Sequence, residues 1–130
     1  MKAYVITIKD NPSSVKVANR CIESGKRHGL EIEKFDAITP ADNPVELLKT
    51  RGIDPIQFDE KYSRNLNCIS AFLSHYALWE ACSKGNENFV IFEHDAIMVD
   101  KIPPAHPNYV MNLGHPSYGK WNTPKMLGIN

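Results

Sequence analysis

"FVIFEHDAIMVD", residues 89–100, joins a short apolar run to three adjacent polar side chains, Glu93, His94 and Asp95. An apolar run of this length, bounded by turn-forming residues, predicts a buried strand over 89–93. In open α/β sheets, ligands bind at the carboxyl ends of parallel strands. The segment therefore predicts a central strand whose polar end lies at a ligand site.

The sequence before this strand predicts the longest helix of the chain. In "NLNCISAFLSHYALWEACSKG" (65–85), apolar residues recur at helical spacing, and Gly85 stands where a helix commonly ends. Aromatic residues at this spacing usually pack in a core, so we assign Tyr76 and Trp79 to it. The predicted core-facing side consists of Ile69, Phe72, Leu73, Tyr76, Trp79 and, at its edge, Cys82.

The amino-terminal part of the chain predicts a first β–α unit. "AYVITI" (3–8) is rich in β-branched and aromatic residues and predicts a buried strand. Ser13 or Ser14 is expected to cap a helix that runs from residue 15 to about residue 28. Gly29 follows at the position where glycine commonly ends a helix.

A second unit follows directly. "EIEKFDAI" (31–38) predicts a strand, and Asn43 followed by Pro44 predicts the start of a short helix that ends at Gly52. The segment 54–65 has no recognisable period and is predicted to be a loop. Residues 96–100 resume an extended pattern beyond the polar strand end.

Strands that alternate with helices predict an α/β fold, Rossmann-like, with a mainly parallel central sheet flanked by helices. The 130 residues provide material for a single domain. Residues 101–130 are rich in glycine and proline and are predicted to be irregular, with "YVMNL" (109–113) as the one strand candidate.

Composition restricts the function classes. Lys+Arg and Asp+Glu both total 15, so the zero formal charge argues against nucleic-acid partners and against a polybasic membrane patch. We expect no signal peptide and no transmembrane segment. The three cysteines are odd in number and widely spaced, which argues against a disulfide framework or a structural zinc site. We therefore expect a cytoplasmic protein in which at least two of the thiols are buried.

The polar strand end has two interpretations. Glu93 and Asp95 could point into one crevice and supply oxygen ligands to Mg²⁺ or Mn²⁺, or they could be solvated residues of a turn. His94 could ligate a transition metal, or it could be a surface turn histidine.

The chain resembles glycosyltransferase family 25, the lipooligosaccharide-type glycosyltransferases. The resemblance is carried by "NCISAFLSHYALWEACSKGNENFVIFEHDAIMV" (67–99), since family members have a helix with Ser-His and Trp, a short turn and an apolar strand that ends in Glu-Asp-Asp. "AYVITIKDNPSSVKVANR" (3–20) and "GLEIEKFDAITP" (29–40) resemble the family's first strand and helix and its second strand. The likeness covers about residues 1–100, with a weaker match at "NLGHPSYGK" (112–120).

This resemblance implies a glycosyltransferase-A-like nucleotide-binding half. The implied activity is a metal-dependent, inverting transfer of a hexose, with galactose as a guess, from a UDP-sugar to a saccharide acceptor. Asp95 matches the last aspartate of the acidic motif and would be the principal residue for Mn²⁺ or Mg²⁺ and for the donor diphosphate. Glu93 would be a second catalytic or metal residue, and His94, between them, would complete the set of metal candidates.

The resemblance also implies a donor-binding set. Ser74 and His75 match the family's Ser-His, where Ser74 could donate to a ribose or phosphate oxygen and His75 could bind phosphate or orient a carboxylate. A core histidine that bonds a backbone carbonyl is the alternative for His75. Thr7, Ile8 and Lys9, at the end of the first strand, would meet the uracil.

Two departures from the family affect the donor site. His94 replaces the central carboxylate of the acidic motif, which predicts weaker divalent-metal binding. "KDNPSS" (9–14) stands where members usually carry arginines, so a donor-phosphate contact is expected to be missing unless Lys9 or Arg20 substitutes.

Family members also continue well past the acidic motif, so we expect a truncated member. Asp100 is a candidate general base only by proximity, and His106 and His115 have no evident partner. A second polypeptide or a homo-oligomer could complete the acceptor site.

Two rival interpretations remain. One is a catalytically inactive remnant or nucleotide-sugar-binding module of the same fold. The other is a small metallohydrolase that combines the acidic strand end with His106 or His115. Binding of UDP and Mn²⁺ would favour the transferase, absence of both the remnant, and tight zinc binding without nucleotide the hydrolase.

Overall fold

A computed structural model describes residues 1–58, 64–104 and 110–114. The predictions for His106 and His115 lie outside these residues, as does most of the segment predicted to be irregular. The regular elements, in chain order, are β1 (Lys2–Thr7), α1 (Pro12–Arg27), β2 (Glu33–Asp36), α2 (Pro44–Thr50), α3 (Asn65–Ser83) and β3 (Phe89–Glu93). Short 3₁₀ helices cover Pro40–Asp42 and Pro55–Phe58.

The three strands form one parallel sheet in the order β2-β1-β3. This arrangement, with helices against the sheet, confirms the predicted α/β class with a parallel sheet. The central strand is β1, however, and not β3, which forms one edge of the sheet within the described ranges. The side chains of β3 are accordingly half-buried over Phe89–Phe92.

Helix α1 begins earlier than predicted because Asn11, and not Ser13 or Ser14, is its cap. The Asn11 Oδ1 atom accepts hydrogen bonds from the backbone N–H of Ser13 at 3.0 Å and of Ser14 at 3.2 Å. Pro12 occupies the first helical position, where the missing N–H costs nothing. The predicted stop is confirmed, since Gly29 follows the helix with φ of +78°.

One apolar core lies between α1 and the sheet. Its buried members are Ala3, Val5, Ala18, Cys21 and Ile32. Gly25 allows the close approach, because a Cβ atom there would lie 2.5 Å from Ile32 Cδ1 and 2.9 Å from the Leu30 carbonyl oxygen. Glycine in α1 therefore lets the returning chain pass directly beneath the helix before β2.

A second core joins α2 to α3 through the fully buried side chains of Leu48, Ile69 and Leu73. The predicted core position of Trp79 is wrong, since this residue is 47% exposed. The buried side of α3 is completed by Leu78 and by two serines. Part of the predicted 54–65 loop forms the 3₁₀ turn Pro55–Phe58 instead, and residues 59–63 lie outside the described chain.

The three cysteines all fall within the described ranges, and none forms a disulfide. Only Cys21 is buried, so the prediction of at least two buried thiols is wrong. Burial raises the pKa of the Cys21 thiol to about 11, which makes it a packing residue and not a nucleophile at neutral pH. No helix in the described part of the chain has the length and apolar character needed to cross a membrane.

Candidate functional site

The carboxyl ends of the parallel strands lie side by side, and a buried serine holds the chain that leaves each strand. Each serine hydroxyl accepts a hydrogen bond from a backbone N–H of the outgoing segment, so that this N–H has a partner. Two of these serines lie on α1 and one on α3. The three pairs are Ile8 N with Ser14 at 3.0 Å, Ile38 N with Ser74 at 2.9 Å, and Met98 N with Ser24 at 2.8 Å.

The polar end of β3 forms a tight turn. The backbone N–H of Ala96 donates to the Glu93 carbonyl at 3.0 Å, which places His94 and Asp95 at the two central positions. Each of the three polar residues has a different environment as a result. They are adjacent in sequence, but they do not share one set of partners.

Glu93 is paired with His75 across the space between β3 and α3. The His75 Nε2 atom lies 2.7 Å from Glu93 Oε1, and this hydrogen bond is the main cause that holds the pKa of the Glu93 carboxyl below its ordinary value. Glu93 is therefore a carboxylate at neutral pH. His75 is not the core histidine of the alternative interpretation, since it bonds a carboxylate and not a backbone carbonyl.

His94 turns back toward the first β–α connection. Its Nδ1 atom lies 2.9 Å from Ser14 Oγ, the same hydroxyl that accepts the Ile8 N–H. His94 thereby links the end of β3 to the end of β1. The sequence predicts only a helix-cap role for Ser14, and no sequence signal marks a contact across eighty residues.

Asp95 is exposed, and its carboxylate makes no hydrogen bond or ion pair with the residues that the structure describes. Its backbone carbonyl accepts a hydrogen bond from Arg20 Nη2 at 3.4 Å. Within the described residues, Asp95 is thus an exposed strand-end residue whose carboxylate has no protein partner. The contact also places the Arg20 guanidinium, a suggested substitute for the family's arginines, beside the turn.

The three candidate metal residues do not make a protein-only metal site. Across residues 1–58, 64–104 and 110–114, no three side chains of His, Cys, Asp or Glu come together in a way that could hold an ion. Mg²⁺ is commonly held by only one or two carboxylates, with phosphate oxygens and water completing the shell. In that mode Asp95 and Glu93 would be the two carboxylates, whereas the described residues do not form a closed three-ligand site.

A cleft of about 360 Å³ opens at the carboxyl ends of β1 and β2. Ile8 and Lys9 line one side of it, and Asp36 to Thr39 line the other. The Lys9 ammonium lies 3.5 Å from Asp36 Oδ2, so the two strand ends are joined by an ion pair between exposed side chains. Two of the three predicted uracil-binding residues therefore lie at a cleft large enough for part of a nucleotide.

The profile of glycosyltransferase family 25, described as an LPS biosynthesis protein family, matches residues 1–113. The chain belongs to glycosyltransferase family 25. No curated protein matches it in a sequence comparison.

The predicted donor-binding residues are not all open to a ligand. Thr7 is buried, and its hydroxyl donates to the Val5 carbonyl at 3.1 Å. Ser74 is fully buried, donates to the Ser70 carbonyl and accepts from Ile38. Donation to a ribose or phosphate oxygen would require the Ser74 hydroxyl to give up its bond to the Ser70 carbonyl, so its role in donor binding stays a prediction.

Asp100, the candidate general base, makes no hydrogen bond to the turn within the described residues. The Asp100 carboxylate accepts a hydrogen bond from the following backbone N–H, that of Lys101, at 2.7 Å. Asp36 was missed at the sequence level although it ends β2 and lines the cleft. The strand-end rule for parallel sheets could have found it, because the second strand was predicted.

Proposed function

We propose that this family 25 chain transfers a hexose from a UDP-sugar to a saccharide acceptor, with Mn²⁺ or Mg²⁺ as the cofactor. The observation that supports this proposal most is the turn after β3, which carries two acidic residues, Glu93 and the exposed Asp95. Asp95 is free to meet the metal-bound diphosphate, and Glu93 is held as a carboxylate by His75. The metal, when bound, would neutralise the departing diphosphate.

The donor would lie across the carboxyl edge of the sheet. Ile8 and Lys9 line a cleft that would receive the nucleoside, and the turn with Asp95 would receive the diphosphate. An acceptor hydroxyl would attack the anomeric carbon from the face opposite the diphosphate, so that the configuration inverts. Galactose is the first donor sugar to test. The predictions of a homo-oligomer or of a partner chain that completes the acceptor site stay predictions.

A nucleotide-sugar-binding module without transferase activity is the second candidate. The replacement of the family's central carboxylate by His94 favours it, because one ligand charge for the metal is lost. The metallohydrolase is less well supported, because the described residues offer no three-ligand cluster and its two further histidines lie outside them.

The test is a turnover assay with the full chain, Mn²⁺, a panel of UDP-hexoses and oligosaccharide acceptors. We expect UDP release with one of the donors and a product of inverted anomeric configuration by NMR. Asp95→Asn should lower the rate by about 100-fold or more, the scale seen when one electrostatic contact to developing charge is removed. Glu46→Gln, at an exposed position of α2, is the matched control. Tight UDP binding without turnover would favour the binding module.

A further inference from the structure

The three buried serines at the strand ends all accept a hydrogen bond from a backbone N–H, but they differ in the group to which they donate their own hydroxyl proton. Ser24 donates its hydroxyl proton to the Cys21 carbonyl at 2.6 Å, and Ser74 donates to the Ser70 carbonyl at 2.9 Å. Both acceptors are carbonyls one turn earlier in the same helix. The proton of each of these hydroxyls is therefore used within its own helix.

Ser14 has no such acceptor. It lies in the first turn of α1, so the residue four positions earlier, Asp10, is outside the helix. Within the described chain, Ser14 Oγ meets two groups, the Ile8 N–H at 3.0 Å and His94 Nδ1 at 2.9 Å. The Ser14 side chain is 2% exposed, so water does not provide a ready alternative.

These contacts fix the direction of the hydrogen bond to His94. A serine hydroxyl has one proton to donate and two lone pairs to accept with. Because Ile8 N–H already donates to the oxygen, the one arrangement that uses the hydroxyl proton has Ser14 donating to His94 Nδ1. The reverse arrangement would leave a buried hydroxyl proton without an acceptor, which is costly.

A neutral imidazole that accepts at Nδ1 carries its proton at Nε2. In the described residues, the Nε2 atom of His94 has no hydrogen-bond partner. His94 is therefore arranged to offer an N–H group to a ligand. A metal ion would instead need the Nε2 lone pair and hence the opposite tautomer.

We propose that Ser14 is a positioning residue that holds His94 as the Nε2–H tautomer, so that His94 donates a hydrogen bond to a ligand oxyanion and does not ligate the metal. The choice of oxyanion, a diphosphate oxygen of the donor, rests on the proposed function. A hydrogen-bond donor at position 94 compensates in part for the lost carboxylate of the family motif, because it would bind the diphosphate directly. His94 and Asp95 then have complementary roles in one turn.

The tautomer can be measured without any ligand. Long-range ¹H–¹⁵N spectra of the full chain, recorded at a pH where imidazoles are neutral, separate protonated from unprotonated ring nitrogens. His94→Gln assigns the signals by their loss. We expect an unprotonated Nδ1 and a protonated Nε2 for His94, and a shift toward the mixture of an unconstrained ring in Ser14→Ala. Ser13→Ala, an exposed neighbour in α1, should leave the spectrum unchanged. A wild-type ring protonated at Nδ1 would overturn the proposal, even if Ser14→Ala failed to fold.

The ligand class is tested with UDP in the presence of Mn²⁺. We expect His94→Ala to weaken UDP binding by about tenfold, and His94→Gln, which keeps an N–H donor, to restore most of the loss. Equal losses in both variants would contradict the donor role. If wild-type protein binds no UDP, the proposed function fails, while the tautomer measurement still decides the role of Ser14.

Discussion

At the residue scale, the hydrogen bond between His75 and Glu93 links a residue of α3 to the polar end of β3. The two are eighteen positions apart and are joined by a 2.7 Å hydrogen bond between α3 and β3. The bond keeps Glu93 ionised and directs its carboxylate. In the proposed donor site, His75 would act through Glu93, as an orienting residue.

We expect His75→Ala to raise the pKa of Glu93 toward the ordinary glutamate value, which carboxyl ¹³C NMR titration can measure. Because the Glu93 pKa is lowered in the folded protein, the pair contributes stability above the unfolded pKa and loses it as pH falls through the folded value. The loss in free energy of unfolding caused by His75→Ala should therefore be larger at about pH 7 than at about pH 3, which urea unfolding can measure.

His28→Ala is the control for this prediction, since His28 is a half-buried histidine at the end of α1 and has no carboxylate partner in the described structure. An unchanged Glu93 titration in His75→Ala would show that the hydrogen bond is absent in solution.

At the element scale, the serines fasten the outgoing chain of each strand to a helix. Ser74→Ala should destabilise the protein by about 1–3 kcal/mol, because the half-buried N–H of Ile38 would lose its acceptor. Ser83→Ala, near the exposed end of the same helix, should cost less than about 0.5 kcal/mol. Urea unfolding of the two variants measures the difference. Equal and small costs would mean that the Ile38 N–H finds another acceptor.

The same serines explain where prediction from sequence failed on α3. Apolar spacing predicted a core side that includes Trp79, but Ser70 and Ser74 are buried and Trp79 is half-exposed. Serine can be buried in a helix because its hydroxyl donates to the preceding turn, as Ser70 does to the Leu66 carbonyl at 2.7 Å. A pattern that counts only apolar residues does not detect such positions.

At the scale of the whole molecule, the sequence predicted the α/β class and the three strands of the described residues, because local apolar runs and helix stops are encoded within each segment. The strand order was not predictable in this way, since it depends on pairing between distant segments. The 89–93 run, apolar on both faces, was predicted to be central but lies at an edge within the described residues. The Ser14–His94 contact was hidden for the same reason.

The arrangement of the sheet also determines how a donor would be held. With β1 in the middle, the cleft at the ends of β1 and β2 and the acidic turn after β3 lie on either side of one strand end. Ser14 bonds both the chain leaving β1 and His94 of that turn. A nucleotide in the cleft and a diphosphate at the turn would thus both lie beside one hydrogen-bond network, that of Ser14.

The most direct test of donor binding is isothermal titration of the full chain with UDP, with and without Mn²⁺, alongside Asp95→Ala and the control Glu46→Ala. We expect UDP to bind in the presence of Mn²⁺, and we expect this binding to be lost in Asp95→Ala and retained in Glu46→Ala. Absence of UDP binding to the wild-type chain under both conditions, or metal-dependent binding that survives in Asp95→Ala, would contradict a donor site at the end of β3.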